Sequence, residues 1–410
     1  MSQYLQPMSS PSGSEELAPL RLKKNEERRL RAGHLWVYSN EVDTRATPLK
    51  AFEPGQPVQI QAHNGKPLGN GYVNPNSLIC ARLVSRDTRY RLDRSLLVHR
   101  LQVALSLRER LFDAPFYRLV YGEGDGLPGL VVDRYDDVFV VQCTTAGMEQ
   151  VRDEVLEALH KVFRPRGILL RADSSVRRLE GLEQYVATVD EVPDSIELLE
   201  AGARFEVSLQ QGQKTGWFFD QRMNRRRLAD YVAGRRVLDV FSYVGAWGVR
   251  AALAGAEQVL CVDSSAPALE RVQHNAALNA VADRVAVEQG DAFDVLSALR
   301  SRGDKFDVVV LDPPAFIKRR KDSRAGEQAY HRLNQLGMQV LARDGILVSA
   351  SCSRHLAEEQ LQRILLQTSR HLDRQLQLLE RGQQGPDHPV HPAIPETRYL
   401  KALFCRVLPA

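Results

Sequence analysis

The segment Arg235–Gly248, RRVLDVFSYVGAWG, constrains the fold more than any other stretch of this chain. Its apolar, β-branched run at residues 237–240 predicts a buried strand that ends near Ser242. Gly245 and Gly248 follow where a helix would begin. Glycine lets the backbone approach a ligand closely, and the first turn of a helix offers unpaired N–H groups. The order of strand, glycine turn and helix therefore predicts an α/β unit with a ligand site at the turn.

The next strand indicates what kind of ligand this turn would hold. Gln258–Asp263 (QVLCVD) ends in an acid 18 residues beyond Gly245. An acid near this offset suits the two hydroxyls of an adenosine ribose, so we expect a nucleotide-containing cofactor. The glycine spacing is not G-x-G-x-x-G, and a dinucleotide-dependent dehydrogenase is therefore the least favoured enzyme class.

From Ala203 onward, short strands and helices alternate, which predicts a doubly wound, Rossmann-like parallel sheet with helices on both faces. Two late strands, Leu376–Arg381 and Tyr399–Val407, have no predicted helix between them and indicate an antiparallel hairpin at the sheet edge. The other predicted elements are strands at 204–209, 236–240, 258–263, 285–289, 306–311 and 345–350 and helices at 223–232, 245–254, 266–279, 295–300 and 327–341.

The N-terminal half of the chain has a different pattern. Short strands at 57–62, 68–73 and 79–84, separated by turn residues, predict a small β-rich barrel. A helix at 93–111, strands around the glycine-rich loop at 122–129, a helix at 148–162 and a further strand then predict a small α+β domain. At 410 residues the chain is long enough for two or three such domains.

Composition limits the class of protein. No run of 18 apolar residues occurs, and the N-terminus lacks a signal pattern, so we expect no membrane span and a flexible tail at 1–19. Residues 1–110 carry a net charge of +7 within a chain whose total is +4, which is typical of either a solvated face or an arm for phosphate backbones. The chain has five cysteines: Cys80, Cys143, Cys261, Cys352 and Cys405. Their number is odd and no C-x-x-C motif occurs, so we expect no metal site, no disulfide framework and a cytoplasmic location.

Acids mark the ends of four successive predicted strands, where ligands bind in open α/β sheets. Asp239, Asp263 and Asp291 could each instead cap a helix or hold a loop. Asp312 is harder to explain structurally, because Pro313 and Pro314 follow it and prevent the strand from continuing. Such a loop would direct its carbonyls and the Asp312 carboxyl at a substrate base.

The ordered motifs DVFSYVGAWG, VDSS, GDAF and LDPPAF resemble those of class I S-adenosylmethionine-dependent methyltransferases. With QKTGWFFDQR upstream, SCS downstream, and GHLWVYSNEV, GEGDGLPGLVVDRY and DHPVHPAIPETRYLK elsewhere, the chain from Leu20 onward resembles the bacterial large-subunit ribosomal RNA cytosine-C5 methyltransferases of the RlmI type. The resemblance implies a PUA-like RNA-binding domain at 20–92, an α+β EEHEE-type domain at 93–196 and a class I methyltransferase domain at 197–410.

The resemblance also implies S-adenosylmethionine as the cofactor and large-subunit ribosomal RNA as the partner, with monomer and homodimer both open. It assigns the methionine part of the cofactor to the loop at 239–245, the ribose to Asp263 and the adenine side to Asp291, while the segment at 214–222 closes over the site. The cofactor residues so implied are Lys214, Thr215, Asp220, Asp239, Phe241, Ser242, Tyr243, Gly245, Asp263, Ser264, Asp291 and Ala292.

Cys352 decides the reaction type. Cytosine C5 is a poor nucleophile, so a protein thiolate must first add to C6. Cys352 follows a strand end at the same sheet edge as Asp312, whereas a lone cysteine is more often a small buried hydrophobe. Many RNA cytosine-C5 enzymes place a cysteine after the proline of the earlier loop, but Ala315 is the neighbour here. We therefore expect Cys352 as nucleophile and Asp312 as its acid–base partner at the cytosine ring.

A basic stretch, IKRRKDSR, follows the Asp312 loop and is well placed to bind phosphate, although a solvated loop has the same composition. Phe316 or Trp217 could stack on a splayed base or belong to the core. Two other functions stay open: methylation of an exocyclic base amine, which needs no cysteine, and a non-catalytic RNA-binding assembly factor. The predicted RNA contacts are Pro313, Pro314, Phe316, Lys318, Arg319 and Arg320.

Overall fold

The computed structural model of the protein describes residues 16–210, 212 and 215–410, which form two compact units. The N-terminal unit contains the described residues of 1–194, 209–217 and 386–397, and the C-terminal unit contains residues 195–208, 218–385 and 398–410. Most of the tail predicted at 1–19 lies outside the described residues, and the first strand begins at Ala18.

The first sheet of the N-terminal unit is the predicted small β-rich domain. Its elements are β1 (Ala18–Arg21), α1 (Glu27–Arg31), β2 (Trp36–Val37), β3 (Pro57–Gln61), β4 (Pro67–Val73) and β5 (Ala81–Ser85). The strands lie in the order β1-β3-β4-β5-β2. In β3 the side chains alternate, and Val58 and Ile60 enter the core while their neighbours face outward.

The second sheet of this unit forms the predicted α+β domain. Its elements are α2 (Arg94–Leu111), β6 (Phe116–Tyr121), β7 (Leu130–Tyr135), β8 (Val138–Cys143), α3 (Ala146–Gln150), α4 (Arg152–Phe163), β9 (Gly167–Ala172), α5 (Val176–Leu179) and β10 (Tyr185–Asp190), with strand order β10-β9-β8-β7-β6. α2 begins after Asp93 because that carboxylate accepts a hydrogen bond from Leu96 N at 2.9 Å. The single helix predicted at 148–162 is in fact two helices, which meet at Val151.

The C-terminal unit contains an antiparallel hairpin and a mixed sheet of seven strands. The hairpin is β11 (Ser195–Glu200) and β12 (Ala203–Ser208), and the sequence analysis had not predicted β11. The elements that follow are α6 (Arg222–Leu228), β13 (Arg236–Val240), α7 (Ala246–Leu253), β14 (Gln258–Asp263), α8 (Ala266–Leu278), β15 (Val285–Gln289), α9 (Ala292–Arg302), β16 (Phe306–Leu311), α10 (Ser323–Val340), β17 (Leu341–Ser351), α11 (Glu358–His371), β18 (Arg374–Gly382) and β19 (Lys401–Pro409).

The seven strands lie in the order β15-β14-β13-β16-β17-β19-β18. The first five are parallel, and β19 runs antiparallel to both β17 and β18, which confirms the predicted edge hairpin. α7 and α8 pack against β14, whereas α9, α10 and α11 supply buried side chains to one core with β16 and β17. The doubly wound α/β fold is therefore confirmed.

The sequence pattern had indicated no element between β17 and β18, where α11 lies. Its sequence carried the signal: Leu361, Ile364, Leu365 and Thr368 recur at helical spacing and are buried. Within the described residues, no helix combines the length and the apolar character that crossing a lipid bilayer requires.

The order of the strands fixes where a ligand can bind. After β13 the chain builds β14 and β15 on one side, and it then returns to add β16 and β17 on the other side. The carboxyl ends of β13 and β16 therefore face the crevice at which the strand order reverses, which is where open α/β sheets bind ligands.

Candidate active site

The loop after β13 has an unusual backbone. Phe241 and Tyr243 adopt left-handed conformations, with φ of 66° and 50°, as does Gly245 with φ of 83°. Aromatic residues rarely adopt this conformation, and strain of this kind clusters at ligand sites. A Cβ on Gly245 would also come within 3.1 Å of Val272 Cγ1, so both space and conformation favour glycine there. α7 begins directly after Gly245 and presents its N-terminus at this loop.

Asp239 lies at the base of the loop and is fully buried. Its Oδ2 accepts hydrogen bonds from Gly248 N at 2.9 Å and from Cys261 Sγ at 3.9 Å. Among the described residues, neither Asp239 Oδ1 nor the buried Ser242 Oγ has a hydrogen-bond partner. Burial raises the pKa of Asp239 to about 8. Both oxygens are thus available to a ligand that carries N–H groups or positive charge, and such a ligand would favour the ionised form of Asp239.

Asp263, at the end of β14, is held in one orientation. Its Oδ2 accepts from Tyr243 N and its Oδ1 accepts from Ser265 N, each at 2.9 Å. The carboxylate is half-buried, and each oxygen keeps a lone pair that can accept a ribose hydroxyl. Ser264 beside it is exposed, and its carbonyl accepts from Gln289 Nε2 at 3.3 Å.

Asp291 is exposed and caps α9, because its Oδ1 accepts from Phe293 N at 2.9 Å. Ala292 after it is buried in the core. The sequence is compatible with both a helix cap and an adenine contact at Asp291. The structure supplies the cap, and a cap leaves the second carboxylate oxygen available to a ligand.

Asp312 is fixed by two side chains that the sequence analysis did not select. Gln221 Nε2 donates to its Oδ1 at 2.9 Å, and Trp247 Nε1 donates to its Oδ2 at 3.0 Å. Burial, and the nearby negative charge of Asp220, raise the pKa of Asp312 to about 6, while the Trp247 hydrogen bond opposes the rise. A carboxyl that titrates near neutrality can either accept or donate a proton to a substrate base.

The loop after Asp312 differs from residue to residue in exposure. Pro313 is buried and Pro314 is exposed. Phe316 is half-buried, with its ring centroid 4.9 Å from that of Tyr330 and 6.3 Å from that of Phe293, so its ring belongs largely to an aromatic cluster. The basic side chains that follow are all exposed: Lys318, Arg319, Arg320, Lys321 and Arg324.

The segment at 214–222 divides between the two units. Lys214 lies outside the described residues. Thr215 belongs to the N-terminal unit, in which its carbonyl accepts from Tyr135 OH at 2.9 Å. Asp220 belongs to the C-terminal unit, in which its carboxylate accepts from Tyr399 OH. Trp217, the other residue considered for base stacking, is only 2% exposed and is therefore a core side chain.

Cys352 follows β17 and is the only half-buried cysteine, whereas the other four are buried. Its neighbours Ser351 and Ser353 both bond Tyr330 OH, at 2.8 and 3.0 Å. Ser353 Oγ also accepts from Ile317 N at 3.2 Å, which joins the Cys352 loop directly to the Asp312 loop.

The strand register agrees with this contact. Leu311 pairs with Ser349, so Asp312 and Cys352 follow on adjacent parallel strands. Strand spacing and rise then put their Cα atoms about 8 Å apart. Side chains from the two positions can reach the same heterocyclic ring.

The sequence pattern did not indicate the partner of Gln221, and it missed three further polar groups of this region: Trp247, Tyr330 and Lys401. Gln221 and Trp247 lie inside quoted motifs, but nothing in their spacing shows that both bond Asp312. Lys401 Nζ donates to Ser353 O and Leu356 O, across 48 and 45 residues of sequence. Contacts of this range leave no local pattern in a sequence.

Comparison with known proteins identifies the family. The profile of the S-adenosylmethionine-dependent methyltransferase family matches residues 171–406, and that of a PUA-like domain matches residues 20–86. Relatives from Aliivibrio fischeri (strain MJ11) and Tolumonas auensis, both named ribosomal RNA large subunit methyltransferase I, are each 37% identical over 94% of this chain and 98% of their own length. The chain belongs to this methyltransferase family.

Solved structures support the fold over 95% of this chain. A SAM-dependent methyltransferase from Streptococcus mutans has a TM-score of 0.80 and 22% identity, covering 95% of this chain and 100% of that one. A second methyltransferase, solved in complex with SAH, has a TM-score of 0.81, 22% identity and the same coverage.

The site residues fit S-adenosylmethionine, the cofactor of the matched family. The unpartnered Asp239 Oδ1 and Ser242 Oγ would face its positively charged methionine end, and the fixed Asp263 carboxylate would bind its ribose. Bound there, the cofactor would supply an electrophilic methyl group. The chain's own part would be to bind the cofactor and orient that group.

Proposed function

We propose that this methyltransferase forms 5-methylcytosine in large-subunit ribosomal RNA through a covalent bond between Cys352 and cytosine C6. The ribosomal RNA is inferred from the names of the relatives. The position of Cys352 carries the cytosine assignment: the residue is partly exposed and follows β17, in a loop bonded to the Asp312 loop.

The proposed steps follow from these positions. The Cys352 thiolate adds to C6, which places a pair of electrons at C5. C5 would then take the methyl group from the sulfonium sulfur of the bound cofactor, and the electron pair of the broken S–CH3 bond would stay on that sulfur. A base next removes the C5 proton, and the returning electron pair expels the thiolate. Asp312, whose pKa burial raises to about 6, would protonate or bind N3 as charge develops in the ring.

The exposed basic side chains after the Asp312 loop support an RNA substrate. Lys318, Arg319 and Arg320 lie two to four residues beyond Phe316 and are open to solvent. Each phosphate that such a side chain neutralises adds a salt-dependent increment to RNA affinity. A base held away from its stack would then enter the site next to Asp312.

Methylation of an exocyclic amine is the second candidate, since the Asp-Pro-Pro-Ala-Phe loop could bind an amine through its carbonyls and its acid. That reaction needs no thiol. Cys352 would then be a bystander, and its loss would leave turnover intact.

Nucleoside mass spectrometry of methylated RNA separates these candidates. Cys352→Ala should abolish 5-methylcytosine formation while calorimetry shows unchanged S-adenosylmethionine binding. Cys80→Ala is the matched control, because it removes a buried thiol from the first sheet of the N-terminal unit and should retain activity. Turnover by Cys352→Ala, or a methylated amine as the product, would overturn the proposal.

A further inference from the structure

Lys401 is a buried lysine with an unusual set of partners. It begins β19, pairs with Ser351 across the sheet, and is only 7% exposed. Its Nζ donates to Ser353 O at 2.6 Å and to Leu356 O at 2.8 Å. Burying an ammonium is costly unless it is paired, so a position of this kind calls for an explanation.

No carboxylate of the described residues forms an ion pair with Lys401. Glu358, the carboxylate whose charge acts on Lys401, is engaged elsewhere: its two oxygens bind Arg381 at 2.7 Å and Arg398 at 2.9 Å. The ammonium therefore bonds two carbonyls, and the charge of Glu358 is already neutralised by two arginines.

Among the charged groups that act on Lys401, Cys352 has the largest effect. Cys352 lies between Ser351, the strand partner of Lys401, and Ser353, whose carbonyl Lys401 bonds. Burial lowers the pKa of Lys401 to about 8, and the charge of Cys352 opposes this by raising it. The effect must be mutual, because two interacting charges change each other's free energy equally. An ammonium beside a thiol favours the thiolate, which is the reactive form.

The hydrogen-bond inventory agrees. An ammonium has three N–H donors, and the carbonyls of Ser353 and Leu356 account for two of them. The two carbonyls lie on either side of the turn that follows Cys352. They therefore fix the position of the ammonium relative to the thiol.

We propose that Lys401 is a positioning residue that holds the turn at 353–356 and keeps Cys352 in its thiolate form. The inference rests on the proposed function only in giving that thiolate a reaction to perform. Other groups that act electrostatically on this pair are Glu358 and Arg398 on Lys401, and Tyr330 on Cys352. The Tyr330 hydroxyl is already hydrogen-bonded to two serine hydroxyls, so we do not assign it to the thiolate. We assign Lys401 as the cation that stabilises the thiolate.

The pH dependence of iodoacetamide alkylation tests this assignment, with Cys352 followed by peptide mass spectrometry. Lys401→Met preserves much of the side-chain length but removes the charge and the donors. We expect its alkylation midpoint to rise by about one pH unit, which corresponds to about tenfold slower alkylation at pH 7. Lys401→Arg keeps the charge and should recover most of the rate.

Lys305→Met is the matched control. Lys305 also donates to a backbone carbonyl, Gln339 O at 2.6 Å, but lies at the opposite end of the sheet. The alkylation midpoint of Cys352 in Lys305→Met should equal that in the unmodified protein. An unchanged midpoint in Lys401→Met, with S-adenosylmethionine binding intact, would overturn the inference.

The unmodified protein supplies a second test that does not depend on a variant's folding. Its Cys352 should alkylate with a midpoint below the ordinary cysteine value of about 8.5. A midpoint at or above that value would contradict the inference. Because alkylation requires neither RNA nor cofactor, a shifted midpoint together with full activity of Cys352→Ala would refute the proposed function but not the Lys401–Cys352 coupling.

Discussion

Asp239→Asn should stabilise the protein at neutral pH although it changes a residue of the cofactor loop. The carboxyl is fully buried, and burial raises its pKa from 3.8 to about 8. The folded state therefore holds this proton more tightly than the unfolded state. The contribution of this proton to the free energy of unfolding has its full value below pH 3.8 and is lost as the pH rises through about 8.

The magnitude follows from that interval. A pH of 7 is about three units above the pKa of the Asp239 carboxyl in the unfolded chain. This interval corresponds to a loss of about 4 kcal/mol in the free energy of unfolding. Asparagine does not ionise and keeps an acceptor for Gly248 N. One end of the asparagine amide would, however, replace Asp239 Oδ1, which has no hydrogen-bond partner. Leaving that buried polar group unpaired lowers the free energy of unfolding by about 1–3 kcal/mol. We expect a net gain of about 1–3 kcal/mol at pH 7 and a net loss near pH 4.

Urea unfolding of both proteins between pH 4 and pH 8 measures this difference. The control is Asp307→Asn, since Asp307 also accepts a backbone hydrogen bond, from Arg236 N at 2.9 Å, but is only partly buried. The stability difference for Asp239→Asn should grow steadily with pH, whereas that for the control should not. A difference that stays constant across this range would refute the reasoning.

Three further predictions concern packing, catalysis and RNA binding. Gly248→Ala should destabilise the fold by about 1–3 kcal/mol in urea unfolding, because its Cβ would lie 2.4 Å from Cys261 Sγ in the core; an unchanged midpoint would contradict this. Asp312→Asn should lower kcat by about 10²–10⁴-fold and remove the fall in rate above about pH 6, since the proposed proton donor is protonated only below its raised pKa of about 6; a fall that persists would assign it to another group. Replacing the exposed basic residues Lys318, Arg319 and Arg320 by alanine should reduce the salt slope of RNA affinity by about two to three without changing cofactor affinity. An unchanged slope would place the phosphate contacts elsewhere.

The sequence was sufficient to place the strand ends. Asp239 and Asp263 lie at the carboxyl ends of parallel strands, Asp312 and Cys352 follow such strands, and a doubly wound topology brings these ends to one edge. The apolar runs that precede them identify the strands. Periodicity therefore predicted both the fold and the neighbourhood of the candidate site.

What fixes those side chains could not be predicted. Gln221 and Trp247 bond Asp312 across 91 and 65 residues, and Lys401 reaches the Cys352 turn from a later strand. The same holds for the segment at 386–397, which joins the N-terminal unit through contacts such as Arg118 N to Asp387 Oδ2, 269 residues apart. Hydrophobic periodicity reports which face of an element is buried, but it does not report which polar groups meet.

The central claim is that Cys352 forms a covalent bond to cytosine, and trapping that bond tests it most directly. RNA containing 5-fluorocytosine cannot lose the C5 substituent as a proton, so the methylated adduct should persist. In the presence of S-adenosylmethionine, we expect a denaturant-resistant protein–RNA species whose cross-linked peptide contains Cys352, and Cys352→Ser should not form it. An adduct through another residue, or methyl transfer to the fluorinated RNA without any adduct, would contradict the account.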